Sequence, residues 1–122
     1  YIRFIQPGYD HVRFSARSLL LQGIIANNED IHNQIKYSKK ILKYLKVINK
    51  IADSINLSLT QLALSFAFSL KGIDHYLIGS TSISNIKDNI KCLNIKLNQD
   101  KMEEITAISK NNKLWANPRN WI

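Results

Sequence analysis

Several kinds of protein are excluded by what this sequence of 122 residues lacks. It has one cysteine, Cys92, so no disulfide forms within the chain. The residue reads as a small apolar side chain on a helix or just after one. No apolar run approaches the ~20 residues of a membrane-crossing helix, and the basic and apolar regions of a secretory signal are missing. A cytoplasmic protein with no membrane partner is expected. The absence of an initiator Met suggests a piece of a longer chain. Arginine is confined to Arg3, Arg13, Arg17 and Arg119. No zinc-finger spacing or aromatic-rich RNA-binding motif accompanies them, so nucleic acid is a disfavoured partner despite a formal net charge of +8. His11, His32 and His75 stand far apart with no Cys/His grouping, and no metal site is expected.

Nucleophile elbows and Walker-type loops are absent too. Carboxylates are sparse. Glu29 and Asp30 share a loop, while Asp100, Glu103 and Glu104 open a helix, where they complement its dipole. None of the five tyrosines sits beside a Lys or His in a recognisable motif. No catalytic constellation emerges, and no catalytic residue is assigned.

With 45% hydrophobic residues, the chain is long enough for one modest core. Pro7-Gly8 marks a turn in the ambiguous stretch Tyr1–Tyr9. Val12–Ala16 alternates as a short strand, and Asn27–Asp30 reads as a loop. From Gln34 to Ile55 the period is helical: Ile41, Leu45, Ile48, Ala52 and Ile55 form an apolar stripe. Lys36, Lys39, Lys40, Lys43, Lys46 and Lys50 form the solvated one. Ser58-Leu59-Thr60-Gln61 fits a capping box. It opens a helix apolar on much of its circumference, with Gly72 as its stop. His75–Ile78 reads as a strand, and an amphipathic helix follows over Ser82–Lys91. A last helix spans Gln99–Ser109, capped by Asn98. Trp115, Pro118 and Trp121 lie in an irregular tail. Strands alternating with helices predict an α/β fold with parallel strands. Two strands are too few to close a barrel.

The stretch Tyr76-Leu77-Ile78-Gly79-Ser80-Thr81-Ser82 brings a strand through a glycine and three hydroxyl residues into a helix. Such an arrangement leaves backbone N–H groups at a helix N-terminus, where an anion such as a phosphate is favoured. The same residues can serve turning and capping alone, and both readings stand at this point.

Three segments together resemble the aldo-keto reductase family. Ala16-Arg17-Ser18-Leu19-Leu20-Leu21-Gln22-Gly23-Ile24-Ile25 is similar to its A-Y-S-P-L-x-x-G-x-L segment. Ser58 through Phe66 is similar to S-x-A-Q-L-A-L-x-W. Leu77 through Asn89 is similar to I-P-G-x-S-x-x-x-Q-L-x-E-N. The resemblance covers about residues 12–108, with 109–122 as a tail and Tyr1–Asp10 outside it. It implies that residues 1–122 are the C-terminal part of a (β/α)8 TIM barrel, a fold of ~250 residues in all. Val12–Ala16 and His75–Ile78 would be its last two parallel strands.

The resemblance further implies a nicotinamide cofactor, NADP or NAD, and a small aldehyde or ketone substrate in the full-length protein. Ser18, Leu20 and Gly23 would line the pyrophosphate and ribose. Gly79, Ser80 and Thr81 would meet the adenosine 2′-phosphate or ribose. Asn85 takes the place of the family's Gln or Arg, and Asp88 and Asn89 that of its Glu-Asn pair at adenine. The family's catalytic Asp, Tyr, Lys and His have no matching position here. Arg17 stands where many members carry an aromatic residue against the nicotinamide. Two other expectations stay open: a catalytically inactive aldo-keto-like binding or regulatory protein, and a basic helical interaction module built on Gln34–Ile55. Isolated βα units leave edges and apolar faces uncovered, which favours self-association.

Overall fold

The computed structural model describes residues 11–26, 36 and 38–109. The readings of Tyr1–Asp10, Asn27–Asp30, His32, the helix start at Gln34 and the tryptophan tail lie outside the described residues. Strand β1 (Ser15–Ala16) pairs in parallel with β2 (His75–Tyr76), Ser15 opposite His75 and Ala16 opposite Tyr76. Between them come helices α1 (Ser38–Ser54) and α2 (Leu59–Phe68); α3 (Ile83–Lys91) and α4 (Gln99–Ser109) follow. The result is helix-rich, with a two-stranded parallel sheet.

Both strands are shorter than the alternation predicts: Val12–Ala16 contracts to two residues, and so does His75–Ile78. The cause lies at the ladder's start. The Asp74 carboxylate accepts the Phe14 N–H at 2.7 Å, while the N–H groups of Asp74 and His75 both go to the Phe14 carbonyl, at 2.9 and 3.1 Å. A side chain therefore replaces the next ladder bond. At the other end the Leu77 N–H reaches the Ala16 carbonyl at 2.9 Å.

Helix α1 ends in a Schellman arrangement. Asn56 adopts φ 55°, and its N–H reaches the Asp53 carbonyl at 3.1 Å while that of Leu57 reaches Ala52 at 3.0 Å. Asparagine tolerates the left-handed region better than most residues, so it can stand where glycine usually does. The chain then turns by 83° between Lys39–Ser54 and Leu59–Phe68. Ser58 starts α2 with the reciprocal bonds of a capping box: its Oγ accepts the Gln61 N–H at 3.1 Å, and Gln61 Oε1 accepts the Ser58 N–H at 2.8 Å.

The predicted stop at Gly72 is too late. The helix closes at Ser69, whose hydroxyl donates to the Ser65 carbonyl at 2.7 Å. Asn98 caps α4 by accepting the Lys101 N–H at 2.9 Å.

Two apolar clusters hold the helices. Ile24, Ile41 and Leu45 form one, with Leu21, Ile25, Tyr44 and Leu59 against it. Ile48, Ile51, Ala52, Leu62 and Ile105 form the other, joining α1, α2 and α4, with Leu57, Phe66 and Leu97 packed on it. On α2 burial reaches around the helix as its apolar circumference predicts, with Leu64 fully buried, and it takes in Ser65 as well. Ser65 donates to the Cys92 carbonyl at 3.4 Å, which ties α2 to the end of α3. Cys92 itself is buried in the single turn that follows α3. Among the described residues, no single helix is long and apolar enough to cross a membrane.

Candidate functional site

The two chain segments that leave the C-terminal ends of β1 and β2 meet over a shared cleft of about 970 Å³. After β1, Ser18 and Leu21 hold φ values of 59° and 45°, and Gly23 holds 92°. Glycine adopts that region freely, whereas a serine or leucine there costs on the order of 1 kcal/mol or more. A tight 3-10 turn over Leu21–Gly23 sustains the bend. Within it the Leu21 N–H reaches the Ser18 carbonyl at 2.9 Å, and the Gly23 N–H reaches Leu20 at 3.0 Å. Ile24, fully buried among Ile41 and Leu45, anchors this loop to α1.

After β2, Gly79, Ser80 and Thr81 lead into α3. Ser80 Oγ accepts the Ser82 N–H at 3.2 Å and donates to the Ser82 carbonyl at 3.2 Å. Ser82 caps α3, accepting the Asn85 N–H at a long 3.5 Å. The N–H groups of Gly79 and Thr81, and those of Ile83 and Ser84 at the head of α3, have no acceptor among the described residues. No atom lies within 4 Å of where a Cβ on Gly79 would stand. Neither packing nor a positive φ calls for glycine at this position. The space beside the backbone stays open.

Every residue that the resemblance assigned to cofactor lines this one cleft: Ser18, Leu20 and Gly23 from the first loop, Gly79, Ser80 and Thr81 from the second, and Asn85, Asp88 and Asn89 from α3. Positions 85, 88, 89 and 92 follow the helical repeat, so one face of α3 is turned to the cleft. Asn89 on that face is 8% exposed, and its side-chain amide makes no hydrogen bond among the described residues. Open donors at a helix head, a glycine with free space beside it and a cleft of about 970 Å³ suit a phosphate-bearing, elongated ligand. Arg17 is exposed and outside the cleft lining.

The lining also includes residues that the resemblance assigned no role at the cofactor: Ser58, Gln61 and Leu77, inside the matched segments, and Lys91, beyond them. Lys91 had a visible signal, since it lies three residues beyond Asp88 on one helix face. Its Nζ donates to Asp88 Oδ1 at 2.7 Å. The hydrogen bond, and then the charge of Asp88, raise the ammonium above the usual lysine range. Burial, then the Asp88 charge, push the Cys92 thiol up from its ordinary value. Cys92 therefore rests as a neutral thiol, with Sγ 3.4 Å from the Asp88 carbonyl oxygen.

Among the described residues, the tyrosine of the sheet has its hydroxyl engaged. Tyr76 donates to the Leu70 carbonyl at 3.2 Å and packs edge-on to Phe68 with ring centroids 5.0 Å apart. Among the described residues, no group of three His, Cys, Asp or Glu side chains is placed to hold a metal.

No curated protein matches the chain. The sequence pattern of the Aldo/keto reductase family matches residues 3–110. That span takes in most of Tyr1–Asp10, which the motif resemblance left outside. It also contains both loops, α3 and the helix that carries the capping box. Strand, loop and helix order, cleft lining and sequence pattern converge, and the chain belongs to the aldo/keto reductase family of oxidoreductases.

Proposed function

We propose that this chain is the portion of an NAD(P)H-dependent aldo/keto reductase that holds the adenosine and pyrophosphate of the cofactor, in an enzyme that reduces aldehydes or ketones. Residues 1–122 would form the C-terminal segment of its (β/α)8 barrel. One observation carries the reading: two loops about sixty residues apart in sequence and helix α3 bring every position that the resemblance assigned to the cofactor to a single cleft. In barrels of this kind, phosphate sites form from the loops after the last two strands.

The roles follow from chemistry already described. Backbone N–H groups of Gly79 and Thr81 and the head of α3 would hold phosphate oxygens. Ser18 and the loop to Gly23 would close over the pyrophosphate, their left-handed residues fixing the path of the backbone. Asp88 and Asn89 would take the donors and acceptors of the adenine edge. The nicotinamide, when bound, supplies hydride to the carbonyl carbon. The proton donor would come from residues that have no match in this chain.

Titration of the 122-residue chain with NADPH and with NADH, read by cofactor fluorescence, tests this directly. Saturable binding is expected. Asp88→Ala and Asn89→Ala should each weaken it on the order of tenfold, as the loss of one adenine contact would. Absence of binding of either dinucleotide, by a chain whose circular dichroism shows it folded, would overturn the reading.

A further inference from the structure

We propose that the outer face of α1 is a docking surface for the phosphate backbone of a nucleic-acid duplex, held by charge and without regard to base sequence. Lys39, Lys43, Lys46 and Lys50 recur at the helical spacing, and all four are exposed. At the rise of an α-helix they form one line of ammonium groups about 16 Å long on a single face. The helix is anchored behind that line along both halves of its length. Ile41 and Leu45 sit in one apolar cluster, Ile48, Ile51 and Ala52 in the other. No residue of α1 lines the cleft, so this surface is separate from the cofactor reading and does not rest on it.

The charge of the line is not offset within the helix. On the later helices a lysine sits one turn from an acid: Lys91 bonds Asp88 at 2.7 Å, and Lys101 bonds Glu104 at 2.8 Å. On α1 the four lysines of the line make no hydrogen bond or ion pair among the described residues. The carboxylate of Asp53 accepts instead from Asn49, at 3.1 Å, and the first turn of α1 has no acid to complement its dipole. Like charges one turn apart, Lys39 with Lys43 and Lys46 with Lys50, work against the helix. A polyanion laid along the face would turn that repulsion into attraction.

The chemistry of the face selects among polyanions. The line is built of lysine without arginine, and the guanidinium is the group that grips a carboxylate through two bonds. Lysine is depleted at protein–protein interfaces but serves phosphate as a point charge. Adsorption to lipid gains from apolar side chains that insert beside the charges, and the large apolar side chain that α1 exposes is Val47 alone, at 42%. The missing base-reading motifs exclude sequence-specific recognition and leave contact with the backbone, which needs charge only. Over the length of the line a B-form duplex carries about ten phosphates.

Titration of a fluorescein-labelled DNA duplex of mixed sequence with the 122-residue chain, read by anisotropy over a series of salt concentrations, tests the surface. Binding is expected at low salt, and log K should fall against log salt with a slope of about −3 to −4, as four phosphate contacts require. Lys43→Gln with Lys46→Gln should weaken binding and flatten the slope by about 2. Lys39→Gln with Lys50→Gln should do the same, so the test survives if one pair fails to fold by circular dichroism. Lys71→Gln with Lys96→Gln removes equal charge from exposed positions off the helix and should leave the slope unchanged. A folded chain with no affinity for the duplex at low salt overturns the proposal. So does a slope that neither α1 pair alters, or an equal loss from the pair off the helix, which would make binding a matter of net charge. Tighter binding at the same salt to polyglutamate, or to vesicles of equal parts phosphatidylserine and phosphatidylcholine, would assign the face to an acidic protein or a membrane and overturn it as well.

Discussion

Ile48, Ile51 and Ala52 of α1 close over Leu62 of α2 and Ile105 of α4, and no residue of that cluster is more than 9% exposed. On α3 the same kind of residue faces outward. Ile83 is 75% exposed, Ile86 42% and Ile90 56%, and Leu93 just beyond the helix is 49% exposed. The two regions obey the same helical period and reach opposite outcomes. α1 finds partners for its apolar stripe within the chain. α3 turns its polar face to the cleft and leaves its apolar stripe without cover among the described residues. A periodic stripe says that a face is meant to be buried; it does not say that the covering surface is present. In a (β/α)8 barrel each helix lies against a closed sheet. Two strands of two residues each supply too little surface for that.

The largest effect separating the regions should come from truncating matched side chains. Leu62→Ala, at a residue 1% exposed, is expected to lower unfolding free energy by about 3 kcal/mol, as deletion of a buried leucine does. Ile90→Ala on the open face should change it by no more than about 0.5 kcal/mol. Urea denaturation of both variants checks the contrast. Equal losses would mean that the α3 stripe is covered in solution, by a second copy or by other parts of the chain.

A smaller effect sharpens the same division at the caps. Ser58→Ala removes one arm of a two-way box with bonds of 3.1 and 2.8 Å, and should cost about 1 kcal/mol. Ser82→Ala removes a single bond of 3.5 Å and should cost less. Thermal melts of the two variants rank them.

Smallest of all is a dependence on alkaline pH. Burial raises the Cys92 thiol and the Tyr44 phenol above their ordinary values. A raised folded-state value means the unfolded chain loses these protons first, so the native state binds more of them. Stability should then be whole below the ordinary thiol range and decline as pH rises through the raised values. Cys92→Ala should flatten the first part of that decline, measured as urea midpoints across a pH series.

Much of this architecture is legible in the sequence because local chemistry decides it. Ser58 with Gln61 is a self-contained cap, and Asn98 with Lys101 another. Both appear where their spacing places them. The α1 stripe survives because its partners lie on neighbouring helices of the same chain. The strands are less legible, since a ladder's length depends on a partner sixty residues away. Nothing in Val12-Arg13-Phe14 announces that the Asp74 side chain will take the Phe14 N–H. The end of α2 is misplaced for a related reason. Gly72 is a stronger breaker than serine, yet Ser69 closes the helix first by bonding back to Ser65.

At the cleft, the motif positions were readable by resemblance, while Lys91 was not, because it belongs to no motif. Its part depends on a neighbour one helical turn back. The outward stripe of α3 could be read as amphipathic. Its exposure could not, because exposure belongs to the assembled molecule.

The parallel register of Ser15 with His75 has one more consequence, for the order in which the chain acquires its shape. The corner between α1 and α2 closes across a few residues, so its entropy cost is small and it can form on the timescale of local helices. The sheet must bring together ends separated by the whole of both helices. Contacts of such long sequence separation slow folding and gain from elements already formed between them. Both walls of the cleft hang from that one pairing. The cleft is therefore expected late in folding, and the helical core can be intact while the cleft is not.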